Sequence, residues 1–455
     1  MHLLPQTFAI PFINLTLIRL NTCLLTPLKY YFLFLNHVMK VIFQDPTFSL
    51  QLLRVLNEVY YKGADVGECL STAYRIKEGD FESWHQEWLK TAKRVHRYAE
   101  DCLAAGHKVS AREAYLRASN YYRVGEFLLI DPEDPRIQTT WRSSKECFSK
   151  AARLFTPAFE PIEIPYEGTI LPGYFYRAPE VANTGKGDSN GNNALKPRPK
   201  PRPTLIVHGG FDSTLEELYT SAAAPALERG YNCLTFEGPG QGGVIRKQKI
   251  PYRHDWEKVV TPVVDYALTR PEEIDLRRIA LMGISMGGYL AARAAAFEYR
   301  IAACILNDGV YDGYDAIASS FPKSLLTAID NGNSETVNIV LDILMESDPN
   351  IRFNMKHGMW TTGAKTPFEL IQGSKNYTMK NIAGNIKCPT LVLEAEKDDS
   401  FPGQPMKLFN ALTCPKKYIL YTTEEGAEEH CQCGAPAISN QRIFDWLDET
   451  FQKDF

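Results

Sequence analysis

From Gln44 to Pro157 the apolar positions recur with a helical period. In "SWHQEWLKTAKRVHRYAEDCLAAGH", Trp84, Trp88, Leu89, Ala92 and Val95 fall on one face, as 3.6 residues per turn requires. Gly106 stands where such a helix would stop. The next run, "SAREAYLRASNYYRVGEFLL", opens on Ser110 with Glu113 three residues later, which predicts a capping box with Ser110 as N-cap. No sustained period links these helices, so a repeat array is not expected. Near Phe159 the period changes. "FEPIEIPYEGTILPGYFYRAP" alternates and carries turn residues, the pattern of a strand hairpin.

Residues 183–203, "NTGKGDSNGNNALKPRPKPRP", hold almost nothing apolar and predict a flexible, solvated loop. Beyond them, short continuous apolar runs alternate with helical ones: "TLIVHGG", "EELYTSAAAPALERG", "YNCLTFEGPGQG", "RHDWEKVVTPVVDYALTR", "RRIALMGIS", "MGGYLAARAAAF" and "IAACILNDG". Strands without polar alternation between helices predict a mostly parallel, doubly wound sheet covered on both faces. The alternation stops over 312–385, where helical sequence carries Phe321, Met345, Phe353, Met355, Met359, Trp360, Phe368 and Met379. It resumes at "KCPTLVLEAEKDD" and "KKYILYTTEEG" and closes with "SNQRIFDWLDETF". The organisation expected is an apolar extension at 1–43, a helical region at 44–157, an α/β core in two parts at 158–311 and 386–455, and a helical insert at 312–385.

The extension is rich in Leu, Ile and Phe, but Pro5, Pro11, Arg19, Pro27, Lys29 and Asn36 interrupt it. No run of roughly 20 apolar residues survives, so a membrane span is not predicted. A secretory signal is not predicted either, because the charged n-region is missing. Translation starting at Met39 is the favoured reading, and a weak membrane-surface anchor the other.

Composition narrows the classes. The chain has 455 residues, 44% apolar and 23% charged, with a net charge of −4. Without a Lys/Arg block, nucleic acid and anionic membranes are not expected partners. The ten cysteines are scattered, which fits reduced, buried thiols in a cytoplasmic protein and not a disulfide framework. His430-Cys431-Gln432-Cys433 lacks a second ligand pair at zinc-site spacing, and neither a metal nor an organic cofactor is expected.

The chemistry concentrates at Gly283-Ile284-Ser285-Met286-Gly287, a G-x-S-x-G between a strand and a helix. This is the nucleophile elbow: only small residues fit beside a serine held up on so tight a turn. A serine hydroxyl needs a base. His430, after the last strand in "TTEEGAEEHC", stands where a base above the sheet should be, whereas His357 lies in the insert. After the preceding strand, Asp398 and Asp399 both qualify as the acid, and the spacing to Pro402 favours Asp398. Asp308 is a weaker substitute, better read as capping the turn into the insert. The expected oxyanion donors are the Met286 amide and one from the His208-Gly209-Gly210-Phe211 loop. His208 is read as shaping that loop, Asp212 as capping the helix near Glu216, and "EGPGQGG" as a turn.

The stretches "GADVGECLSTAYRIKEGDFESWHQEW", "HGGFDSTLEELY", "FEGPGQG", "GISMGGYLAARAAAFEYRIAACILNDGVYDGYDA", "EAEKDDSFPGQP" and "AEEHC" resemble the α/β hydrolases of fungal secondary-metabolite clusters, the group typified by fusarin- and cytochalasan-cluster hydrolases. More distantly, the chain is similar to the yellowish-green pigment and dihydropseudooxynicotine hydrolases. The resemblance implies the α/β-hydrolase fold, with the N-terminal helices and the insert forming a cap over a Ser285–Asp398–His430 triad. It also implies a tailoring step on a polyketide-derived small molecule, and a homodimer is a further expectation. Competing readings are non-hydrolytic cyclisation, dehydration or binding in the same pocket, and a general carboxylesterase.

Overall fold

A computed structural model describes residues 39–180 and 200–452. The expectations for residues 1–38 and for most of the 183–203 loop fall outside the described residues.

The N-terminal part is helical: α1 (Pro46–Asn57), α2 (Val66–Ala73), α3 (Phe81–Ala104), α4 (Lys108–Phe127) and α5 (Pro135–Ala152). Asp80 caps α3 by accepting from the Ser83 amide, and Gly106 ends it at φ 80°, a left-handed position that glycine fills without strain. Trp84 and Trp88 are fully buried between α3 and α4, where Trp84 stacks edge-on against Phe48 of α1. The capping box expected at Ser110 is absent. The α3–α4 turn is so short that the His107 carbonyl already accepts from Ala111. That makes His107 the N-cap and leaves Ser110 inside α4.

Eight strands form one sheet among the described residues, in the order β1-β2-β4-β3-β5-β6-β7-β8. β1 (Glu160–Tyr166) and β2 (Thr169–Tyr176) are the hairpin, and β2 runs antiparallel to β4 (Asn232–Phe236). β3 (Arg202–His208), β4, β5 (Ile274–Ile284), β6 (Ala303–Asn307), β7 (Thr390–Ala395) and β8 (Lys416–Tyr421) are parallel. Successive side chains of a strand point to opposite faces, and both faces are covered. Leu205, Val207, Met282, Ile305 and Leu391 pack on the side of the N-terminal helices. Ile206, Leu281, Leu306 and Val392 pack against α7 (Glu257–Leu268) and α8 (Gly287–Ala295) on the other. Between β3 and β4 the chain passes through α6 (Ala224–Glu228).

After β6 come α9 (Gly313–Ala318), α10 (Lys323–Asp330), α11 (Ser334–Ser347), α12 (Pro349–Thr362) and α13 (Pro367–Ser374). They have a core of their own around Leu341, Met345 and Ile371. The apolar insert residues therefore divide. Phe321, Phe353 and Met355 face a cavity, whereas Met379 belongs to the core beneath the sheet. α14 (Gln404–Ala411) and α15 (Pro436–Gln452) complete the core.

Candidate active site

β5 ends at Ile284 and α8 starts at Gly287, so Ser285 has to turn the chain within two residues. It does so at φ 63°, in the left-handed region that costs an L-residue about 1–2 kcal/mol. The glycines follow from the space left. A Cβ at Gly283 would lie 1.9 Å from the Gly287 carbonyl oxygen, and one at Gly287 would lie 2.7 Å from that of Gly209. The Ser285 amide donates to the Asn307 carbonyl, which ties the elbow to the end of β6.

His430 Nε2 stands 2.8 Å from Ser285 Oγ, and its Nδ1 lies 2.9 Å from Asp398 Oδ2. His430 sits on a tight turn where Cys431 (φ 52°) and Gln432 (φ 55°) are both left-handed. α1 supports this turn, since the Gly434 amide donates to Asn57 Oδ1 at 3.1 Å. Asp398 is buried and accepts the Ser400 amide at 2.8 Å. Asp399 is exposed and faces the cavity. Burial disfavours a charged imidazole at His430, but the Asp398 charge and the Asp308 hydrogen bond outweigh it and hold its pKa well above the usual value. Asp398 moves the other way: burial would raise it, and the His430 charge lowers it further.

Asp308 is not a turn cap. Its side chain is completely buried, and its Oδ2 also lies 2.9 Å from His430 Nδ1. Burial, then the Asp398 charge, raises its pKa. The only sequence signal for this was its place at the end of β6, beside the elbow.

The loop after β3 lies directly on the elbow, for a Cβ at Gly210 would be 2.8 Å from the Met286 amide nitrogen. Its carbonyls are held in turn. Gln241 Nε2 donates to Gly209 at 2.7 Å, the Tyr252 hydroxyl donates to Gly210, and His357 Nε2 faces the Phe211 carbonyl at 3.1 Å. Sequence reading passed over Gln241 and Tyr252 and gave His357 no role here. His208 is wholly buried with Nδ1 3.0 Å from the Gly209 carbonyl. Burial lowers the pKa of both His208 and His357 to about 4, so each is neutral near pH 7. Asp212 does not cap a helix: it accepts from Arg54 Nη1 at 3.1 Å, and Arg54 also grips Glu217 at 2.6 Å. The "EGPGQGG" segment is a turn held by Glu237, which accepts from the Gly243 amide within it and the Leu215 amide outside it.

These groups open on a cavity of about 710 Å³. Its walls come from α1 (Leu50, Arg54), the insert (Phe321, Phe353, Met355, Leu370) and the core (Met286, Tyr289, Phe401). Among the described residues, the grouping able to hold an ion is Asp308, His430 and Cys431. Both His430 nitrogens there already face Ser285 and the two carboxylates. No described helix is long and apolar enough to cross a membrane.

Residues 204–405 match the model of the alpha/beta hydrolase family. The chain is 37% identical to the hydrolase LUC6 of Fusarium sp over 91% of its own length and 98% of that protein. It is 38% identical to the 20-hydroxy-prefusarin hydrolase FUS2 of Gibberella moniliformis, again over 91% and 98%. Among solved structures, 2,6-dihydroxy-pseudo-oxynicotine hydrolase is 25% identical, with a TM-score of 0.66 over 86% of this chain and 94% of that one.

Proposed function

Because the chain belongs to the α/β-hydrolase family and groups there with hydrolases of fungal secondary metabolism, we propose that it is a serine hydrolase tailoring a bulky, polyketide-derived intermediate. The observation that carries this reading is the unbroken line from Ser285 Oγ through His430 to Asp398, at 2.8 and 2.9 Å, on the floor of a large apolar cavity. Ser285 Oγ attacks a carbonyl carbon while His430 Nε2 takes the hydroxyl proton, and Asp398 holds the imidazole and balances the imidazolium. The oxyanion faces the Met286 and Phe211 amides, neither of which donates to another group among the described residues, and the N-terminus of α8 adds a favourable dipole. The leaving group departs with the proton from Nε2. Water, activated by the same nitrogen, then releases the acyl enzyme.

The N-terminal helices and the insert act as a cap. Their apolar, Met-bearing walls suit a large irregular substrate, because thioether side chains adapt in shape. The relative's substrate, a prefusarin, indicates the chemical class and not the molecule.

The test deletes the gene in its host and complements it with wild type or Ser285→Ala while metabolites are followed by mass spectrometry. An intermediate cleared by wild type alone is the expected result, and its mass identifies the bond cut. Equal rescue by Ser285→Ala would mean that the pocket works without a nucleophile, as a cyclising, dehydrating or binding site.

A further inference from the structure

We propose that Asp308 is a second positioning carboxylate for His430, so that the base is oriented by a carboxylate pair and not by one acid. This rests on the reading of Ser285 and His430 above. The two distances are equal: Asp308 Oδ2 and Asp398 Oδ2 each lie 2.9 Å from the same imidazole nitrogen, with Asp398 the one in line for its hydrogen bond. One arrives from the end of β6 and the other from the loop after β7.

Asp308 is built into this place. The neighbouring Asn307 carbonyl accepts the Ser285 amide. The Asp308 carbonyl oxygen fills the space beside Gly288, where a Cβ would come within 1.6 Å of it. Its side chain has no exposed surface, and its Oδ1 finds no partner. A buried carboxyl group with one oxygen left unpartnered is costly as mere structure.

Two carboxylates this close do not both ionise in a buried site. Asp398 has the Ser400 amide as an additional donor and stays charged, while Asp308 holds the shared proton. The groups that face Asp308 are His430 and Cys431 from the turn after β8, with Cys431 Sγ at 3.6 Å. Asp398 faces it from the loop after β7 and Tyr421 from the end of β8. In the resting site His430 donates its Nδ1–H to Asp398. If Asp398 is neutralised, the repulsion that kept the proton on Asp308 disappears. Asp308 then loses that proton to solvent and accepts the same Nδ1–H, preserving the tautomer that leaves Nε2 free to take the serine proton.

The experiment follows the rate at which a fluorophosphonate labels Ser285, read by mass shift of its peptide, in wild type, Asp308→Asn, Asp398→Asn and the double variant. Removing a lone orienting acid costs ~10⁴-fold. Asp398→Asn alone is expected to lose only about tenfold to a hundredfold, and the double variant about 10⁴-fold. In Asp398→Asn the rate should rise with pH as Asp308 ionises, a limb missing from the double variant. Asp398→Asn as slow as the double variant, with a flat pH profile, would overturn the proposal. Where Asn at 308 prevents folding, as judged by circular dichroism, the pH profile of Asp398→Asn decides alone. Ser285→Ala serves as the separate control. Labelling that persists there, or a wild type that is not labelled at all, refutes the nucleophile reading and takes this inference with it.

Discussion

Tyr252→Phe removes one oxygen atom and tests how the proposed oxyanion loop is aimed. The Tyr252 hydroxyl donates to the Gly210 carbonyl. That carbonyl and the Phe211 amide belong to one planar peptide unit, so fixing the oxygen fixes the direction of the N–H. The phenylalanine ring keeps the packing, because Gly240 lies against the ring carbons and Trp256 lies 6.2 Å from the ring centroid. What remains on the Gly210 oxygen is Gln241 Nε2 at 3.3 Å, a long and weak partner. The lost hydrogen bond is worth about 1 kcal/mol of stability. Losing an oxyanion donor outright costs ~10²–10³ in kcat. Here the donor stays and only its aim loosens, so about tenfold, or ~1.4 kcal/mol, is expected. The loss should fall on kcat and leave KM within about twofold, because the contact forms only as charge develops on the substrate oxygen. Steady-state hydrolysis by wild type and Tyr252→Phe, with urea unfolding alongside, measures both quantities. An unchanged kcat with the expected loss of stability would show that the peptide is held without Tyr252. A loss confined to KM would mean that the hydroxyl serves the substrate and not the loop.

Ser285→Gly should be more stable than Ser285→Ala by about 1 kcal/mol, because φ 63° suits glycine and strains alanine; an equal or lower urea midpoint for the glycine variant would show that the elbow stores no strain. His208 and His357, each lowered by burial to about 4, stay neutral in the fold while the unfolded chain takes up protons below about 6.5. Each therefore contributes on the order of 3 kcal/mol that is present above pH 6.5 and lost as pH falls towards 4. Unfolding free energies at pH 6.5 and 4 should fall less steeply for His357→Gln than for wild type, and identical slopes would refute the assignment.

The sheet and the elbow were legible because their signals are local. The buried stretches of β3, β5 and β6 are apolar runs of strand length, and G-x-S-x-G states its own steric reason. That His430 and Asp398 meet beside Ser285 was readable from their places after late strands, with the spacing to Pro402 separating Asp398 from Asp399. Asp308 was misread because one sequence position looks alike whether the side chain turns outward to cap or inward to the imidazole; only the pairing of β6 with β5 and β7 decides it. Ser110 failed for a related reason: the three-residue turn from α3 made His107 the cap. Tyr252, Gln241 and His357 hold the loop after β3 from 31 to 146 positions away, and no local pattern announces contacts of that span.

The hydrogen bond between Gly434 and Asn57 joins positions 377 residues apart. Closing so large a loop brings an entropic cost before any contact compensates for it, and such contacts form late in folding. The turn that carries His430 therefore gains its tie to α1 only once β8 and the residues beyond it have been made. On the reading proposed above, Ser285 has no base until His430 is in place, and before that the nascent chain, however well its central strands have paired, is an alcohol among alcohols.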